Sequence, residues 1–388
     1  MCNYDKELMP YKKLILVPKL SNTDRVPGGV ENYYKVLRFD QLDNIDYLEI
    51  NANSDKESFL SMIIRMIRIY ASFFYLVSSR KYDKVLLNPS LDNRSFYRDA
   101  IFLMIAHFYK LHTIVFFRSW HNEFEEKVKS NWFEIFLFRK IYTRSYRFIV
   151  LGTVFKDKLI KLGIPSAKIL IESTLANDSF LTSLDMNRKL DTYEKKVSIL
   201  FLARLKKGKG LILALEAYLH ARKKLPERAM EFIVAGGGPE LTEAKEFVES
   251  NQIPDVQFLG FVSGKQKAEV LVKSHIMLFP THYDREGLPN AILEGMLYGL
   301  AIISRPHVGI PDVVTHGING YLSDSLKYDI FTEFLKDVVS DKNLFETMIQ
   351  ANHEKAKNTF TREIVKGRLV RILNDEPQYF SKENLSLV

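Results

Sequence analysis

Short apolar runs recur along the chain, each followed by a turn and then by a helical pattern. In the first half they cover residues 14–17, 85–87, 113–117, 148–151 and 169–172. In the second half they cover residues 198–202, 231–235, 256–259, 276–279 and 301–304. Uninterrupted apolar strands alternating with helices indicate parallel sheets covered on both faces. Two such series predict an α/β protein of two doubly wound, Rossmann-like domains. The polar stretch SLDMNRKLDTYEKK, residues 183–196, reads as a linker between them. The expected boundaries are therefore 1–183, a linker at 184–196, a second domain at 197–358, and a final helix and tail at 359–388. The last helical pattern, 361–373, follows the second series of strands and either caps the second domain or crosses back to the first. Two such domains facing each other across a cleft are a common place for a ligand.

Composition narrows the class. Of 388 residues, 46% are hydrophobic and 26% charged, which leaves ample material for a core and excludes global disorder. The single cysteine, Cys2, excludes a disulfide scaffold and a cysteine-rich metal site. The longest uncharged stretch, residues 69–79, is far short of the roughly 18 apolar residues of a membrane span. The amino terminus, MCNYDKELMPYKK, lacks the apolar centre of a signal peptide, so the expected location is the cytoplasm.

Charge changes the picture further. Residues 55–161 hold 19 Lys and Arg against 10 Asp and Glu, while the rest of the chain holds 36 against 37. The whole excess of +8 thus sits in the first half. Within it, residues 58–77 form a helical pattern with one narrow polar stripe, Ser61, Arg65, Arg68 and Ser72, and almost nothing else polar. Such a helix is either buried or pressed into a lipid interface. Residues 131–147 also mix aromatic and basic side chains. Residues 55–161 are accordingly expected to make a peripheral membrane contact, with core helices that carry solvated cations as the alternative. Nucleic acid is not an expected partner, because no recognised binding module accompanies the charge.

Three segments of the second half carry candidate chemistry. Strand 198–202 runs into Ala203-Arg204-Leu205-Lys206-Lys207-Gly208-Lys209-Gly210 and then a helix, an arrangement in which backbone N–H groups, Arg204 and Lys209 favour a phosphate. Strand 231–235 ends in Gly236-Gly237-Gly238-Pro239-Glu240, where glycine lets a ligand approach the backbone. The dinucleotide pattern G-x-G-x-x-G is missing, which argues against a nicotinamide enzyme. Strand 276–279 precedes Glu286-Gly287-Leu288-Pro289-Asn290-Ala291-Ile292-Leu293-Glu294. There Gly287 and Leu288 would present N–H groups at a helix start. A carboxylate lies at each end of that turn.

Taken together, Glu286-x7-Glu294 in EGLPNAILEGMLYGLAII, Gly309-Ile310-Pro311-Asp312, Gly317-Ile318-Asn319-Gly320, the Arg204/Lys209 pair, the GGGPE loop and the early Pro27-Gly28-Gly29-Val30-Glu31 resemble retaining GT-B glycosyltransferases of family 4. The resemblance implies two Rossmann-like domains about a central cleft, with the last helix crossing back to the first domain. It implies a nucleotide-diphosphate sugar as donor, bound by the second domain, and a glycan or lipid-linked acceptor bound by the first. By position, Arg204 and Lys209 would hold the diphosphate, Glu294 the ribose hydroxyls and Glu286 the donor sugar. Gly28 and Gly29 would close over the diphosphate, Gly237 would lie by the donor, and the backbone at Phe261 and Val262 would meet the base. The family carries a histidine just after the strand matching 113–117. Here His121 falls slightly late, and is either catalytic or structural.

No Asp-x-Asp pair occurs, so the resemblance implies metal-independent transfer with no cofactor beyond the sugar nucleotide. Two turns depart from the family pattern: Thr174-Leu175-Ala176-Asn177-Asp178, where relatives show proline-asparagine-glycine, and Val308-Gly309, where they often show two glycines. The expected activity is transfer of a hexose or N-acetylhexosamine in bacterial surface polysaccharide synthesis, at the inner face of the membrane. A sugar-nucleotide epimerase of the same fold and an inactive scaffold subunit are the alternatives.

Overall fold

The computed structural model describes residues 11–20, 28–50, 58–181 and 184–375. Cys2, Pro27, residues 182 and 183 just before the expected linker and the tail beyond Asp375 lie outside the described residues. The chain divides into two compact units: one of residues up to Val150, Phe155–Glu172 and those from Arg368, the other of Leu151–Val154 and Ser173–Gly367.

The first unit contains β1 (Lys12–Pro18), α1 (Gly29–Leu37), β2 (Ile45–Ile50), α2 (Phe59–Ser78), β3 (Tyr82–Leu87), β4 (Ser90–Leu91), α3 (Asn93–Phe108), β5 (His112–Phe116), β6 (Ser119–Trp120), α4 (Asn122–Ser130), α5 (Trp132–Lys140) and β7 (Arg147–Val150). After α6 (Thr153–Lys161), whose first two residues group with the second unit, it ends in β8 (Ile169–Ile171). Six strands form one parallel sheet in the order β2-β1-β3-β5-β7-β8, and β4 pairs with β6. All five expected strands are present. β2 is additional: its sequence IDYLEI alternates with carboxylates because it lies at the sheet edge, where Asp46 takes up Lys12 at 3.0 Å and the Tyr82 hydroxyl at 2.8 Å.

The second unit begins with a correction. The stretch expected as a linker is α7 (Met186–Lys195), and the boundary between units falls at 172/173 rather than at 183. Asp185 caps the helix by accepting from the Arg188 N–H. Two polar side chains four residues apart then turn inward. Lys189 donates to the carbonyls of Val272 and Ser274 at the end of a neighbouring helix, and burial pushes its ammonium down to about 7. The Tyr193 hydroxyl donates to the Val338 and Val339 carbonyls, and its ring stacks on Phe345 at 4.0 Å. Polar composition concealed a packed helix because its inward groups are satisfied by backbone carbonyls.

There follow β9 (Val197–Leu202), α8 (Leu211–Lys224), β10 (Met230–Ala235), α9 (Leu241–Ser250), β11 (Val256–Gly260), α10 (Gly264–Lys273), β12 (Ile276–Phe279), α11 (Asn290–Leu297), β13 (Ala301–Ser304), β14 (Gly320–Leu322), α12 (Tyr328–Ser340) and α13 (Lys342–Thr359). The last helix, α14 (Arg362–Asn374), is shared: residues up to Gly367 group with the second unit and those from Arg368 with the first. The sheet is again parallel, in the order β11-β10-β9-β12-β13-β14. Its order reverses between β9 and β12. In open parallel sheets this switch point, at the carboxyl ends of the strands, is where a crevice opens. Here β9 and β12 pair only through Ile199–Ile276 and Leu200–Met277, so the ends of both strands run on unpaired with each other.

Candidate functional site

The switch point of the second unit is bordered by the two loops that leave β9 and β12. The first loop carries Lys209 between two left-handed glycines, Gly208 and Gly210. These glycines are required. A side chain at Gly210 would stand 2.4 Å from the Pro280 carbonyl oxygen, and one at Gly208 would stand 3.3 Å from the Tyr283 backbone. The loops are stitched together where the His282 N–H donates to the Gly208 carbonyl at 2.8 Å. This contact turns Lys209 inward.

Lys209 is only 7% exposed. Its ammonium forms an ion pair with Glu286 and lies over the Tyr283 ring at 4.7 Å and the Phe279 ring at 5.6 Å. The Thr281 hydroxyl lies 3.4 Å from both the Glu286 carboxylate and the Gly208 carbonyl. Two residues expected in separate roles thus meet across the switch point, 77 positions apart in sequence. Gly287 and Leu288 are buried just before α11, and the Leu288 carbonyl accepts from the Thr174 hydroxyl at 3.1 Å. Pro289 occupies the cap position of α11.

Glu294 lies on α11, one turn inside the helix, and is 4% exposed. Burial pushes its pKa up, against the opposing charge of Lys267, whose ammonium lies 2.6 Å away on α10, and a hydrogen bond from the Asn177 backbone. Nothing in the sequence singled out Lys267: in GKQKAEVLVK it reads as one more solvated helix cation. Tyr283 and Thr281 carried no signal either.

The remaining residues are placed as follows. Arg204 is exposed at the end of β9 and makes no ion pair among the described residues, so the structure does not join it to the Lys209–Glu286 pair. Phe261 is exposed and Val262 buried between β11 and α10. The three glycines after β10 differ in kind. Side chains at Gly236 and Gly238 would fall 1.8 Å and 2.3 Å from the Ala203 and Leu205 carbonyl oxygens, whereas one at Gly237 meets nothing within 4 Å. Gly236→Ala is therefore expected to cost about 2 kcal/mol or more in urea unfolding. Gly237→Ala should stay within about 0.5 kcal/mol. Equal losses would mean that the loop relaxes around either side chain. Gly309 and Asp312 also have structural work. Asp312 accepts from the Thr153 N–H and hydroxyl, both at 2.7 Å, and a side chain at Gly309 would meet the Leu151 carbonyl oxygen at 2.4 Å.

Gly28, Gly29 and His121 belong to the first unit. Gly28 caps α1, and its N–H donates to Glu31 at 3.4 Å. Neither φ nor any described neighbour within 4 Å demands glycine at position 28 or 29. His121 precedes α4, its N–H bonded to the Leu91 carbonyl at 3.1 Å. Among the described residues, no group of three or more His, Cys, Asp or Glu side chains is placed to hold a metal ion.

Comparison with solved structures decides the architecture. The Anabaena protein HepE, solved in complex with UDP, superposes with a TM-score of 0.71 over 94% of this chain and 100% of its own, at 13% identity. The fold is GT-B. Residues 184–355, within the second unit, match the family described as Glycosyl transferases group 1. The amylovoran biosynthesis glycosyltransferase AmsK of Erwinia amylovora is 25% identical over 241 residues, 60% of this chain and 57% of its own. A Campylobacter jejuni N-acetyl-D-galactosaminyltransferase, whose name gives an undecaprenol-linked acceptor, is 27% identical over 172 residues, 43% of this chain and 45% of its own. The matches thus span about half the length of these curated relatives. Together the likenesses support a glycosyltransferase.

Proposed function

We propose that this GT-B chain is a retaining glycosyltransferase. It would move a hexose or N-acetylhexosamine from a nucleotide-diphosphate sugar to a glycan or lipid-linked acceptor, in the synthesis of a bacterial surface polysaccharide. The observation that carries the reading is the paired arrangement about the start of α11: Glu286 held by Lys209 before the helix, and Glu294 held by Lys267 inside it. Support for the setting comes from the relative named for amylovoran synthesis and the one named for an undecaprenol-linked acceptor. UDP in the Anabaena complex makes it the first base to test.

In the proposed reaction the bond between the anomeric carbon and the diphosphate oxygen breaks, and the acceptor oxygen forms the new bond on the same face. The acceptor proton passes to the departing phosphate. Negative charge grows on that phosphate, and Lys209, with Arg204 after β9, would stabilise it where it develops. Gly287 and Leu288 would offer backbone N–H groups to the same phosphate. Glu286 would take hydroxyls of the donor sugar, and Glu294 those of the ribose. Glycine at 28, 29 and 237, where no neighbour demands it, fits a ligand that approaches the backbone closely. No metal is required in this scheme, because the cations of the loop after β9 supply the charge.

Thermal unfolding with UDP, GDP and ADP is the direct test. One of them at about a hundred times its Kd is expected to stabilise the second unit by about 2.7 kcal/mol. If none of the three moves the transition, the donor assignment is wrong.

A further inference from the structure

α2 has two apolar faces, and among the described residues only one of them is covered. Ile69, Phe73 and Val77 turn inward, and the rings of Phe73 and Tyr70 pack on Phe102 of α3 at 5.1 Å and 4.8 Å. On the opposite face Leu60, Ile64, Ile67 and Tyr75 are exposed, Ile67 by 61%. The expectation from uncharged runs alone missed the reach of this helix. Phe59–Ser78 is 20 residues long and, by length and composition, apolar enough to cross a membrane, because two arginines do not outweigh the rest.

The exposed face continues sideways. On α3, Ile101, Met104 and Phe108 are exposed at helical spacing, and α3 is joined to α2 where the Phe74 and Tyr109 rings lie 5.6 Å apart. On α5, Trp132, Phe133 and Phe136 are exposed, and the Phe133 ring lies 6.5 Å from Tyr97 of α3. More than half of the large apolar side chains left exposed among the described residues lie on these three helices. Single exposed apolar groups need no explanation, but a continuous face does.

The border of the face identifies what covers it. α2 carries no acidic residue. Along one edge of its apolar stripe run Ser61, Arg65, Arg68 and Ser72, lining an open groove of about 670 Å³ beside Leu48 and Glu49 of β2. Arg139 and Lys140 stand exposed at the end of α5. An apolar stripe edged by cations complements acyl chains below anionic headgroups, and tryptophan and tyrosine suit the level between them. A second copy of the chain would bring the same arginines against their like, an arrangement of repelling charge.

We infer that the face formed by α2, α3 and α5 seats the first unit on an anionic lipid bilayer, with Arg65 and Arg68 at headgroup level. α2 lies on the membrane rather than through it, since Ile69, Phe73 and Val77 are committed to the core. This inference is independent of the donor reading and survives its failure.

The test is co-sedimentation with vesicles of phosphatidylcholine, with and without phosphatidylglycerol. Wild-type protein is expected to bind the anionic vesicles more tightly, by about fivefold for each cation at the surface, and to lose that preference in high salt. Ile64→Glu/Ile67→Glu, at exposed positions that leave the fold intact by circular dichroism, abolishes binding to both. Arg65→Gln/Arg68→Gln keeps residual binding without the anionic preference. Absence of sedimentation, or equal binding to both vesicles by the wild type, overturns the inference. So does a wild-type dimer in analytical ultracentrifugation that ignores vesicles and that Ile64→Glu/Ile67→Glu dissociates.

Discussion

Glu286→Gln is expected to bind a nucleoside diphosphate at least as tightly as the wild type, yet to transfer sugar about 10²–10³-fold more slowly. The two effects separate because Glu286 already holds Lys209 before any donor is present. Removing its charge leaves the lysine with the Tyr283 and Phe279 rings and makes it more available to a diphosphate. The same substitution removes the carboxylate proposed to hold the hydroxyls of the reacting sugar. Lys209→Met is the companion. It takes away a charge-assisted contact of about 1.5–3 kcal/mol, which amounts to roughly a 10- to 100-fold loss of diphosphate affinity together with the loss of rate. Calorimetric titration with UDP and a donor-turnover assay read the two quantities separately. If Glu286→Gln weakens binding as much as Lys209→Met while turnover is kept, the roles drawn from the ion pair are reversed.

That pairing shows where sequence reading reaches and where it stops. All ten apolar runs became strands, nine of them because a strand buried on both faces must be apolar whatever surrounds it, while β11 lies at a sheet edge and alternates in exposure. β2 escaped because this edge strand carries Asp46, whose carboxylate accepts from Lys12 and the Tyr82 hydroxyl. β14, three residues beginning with glycine, is too short to leave a pattern. α7 was read as a linker because its inward residues are a lysine and a tyrosine. Motif spacing located Lys209, Glu286 and Glu294 along the chain. It could not say that Lys209 and Glu286 touch, since that contact depends on how the loops after β9 and β12 pack. The exposed apolar face was half legible: the polar stripe of α2 was visible as a periodicity, but which apolar face lacked a described neighbour depended on the packing of α3.

Lys267 is the residue that only packing reveals, and its removal is expected to have the largest effect on stability. Lys267→Met leaves the Glu294 carboxylate buried without its counter-charge, a loss of about 3–5 kcal/mol for a broken buried pair. The pH dependence distinguishes this cause from lost packing. Burial already holds the Glu294 pKa above the ordinary carboxylate value, and Lys267 opposes that shift. Without the lysine the folded pKa rises further. A carboxyl group with a raised folded pKa contributes its stability below the unfolded pKa, and that contribution is lost as pH rises through the folded value. The deficit of Lys267→Met in urea unfolding is therefore small near the carboxylate range and grows toward neutral pH. Adding Glu294→Gln recovers most of it, because the double variant buries no charge. A deficit that is flat with pH and unaffected by Glu294→Gln would assign Lys267 to packing alone. The expected outcome gives Lys267 a definite place in the site. It opposes the upward push of burial on Glu294 and so favours the ionised form, the one that the proposed contact with two ribose hydroxyls would use.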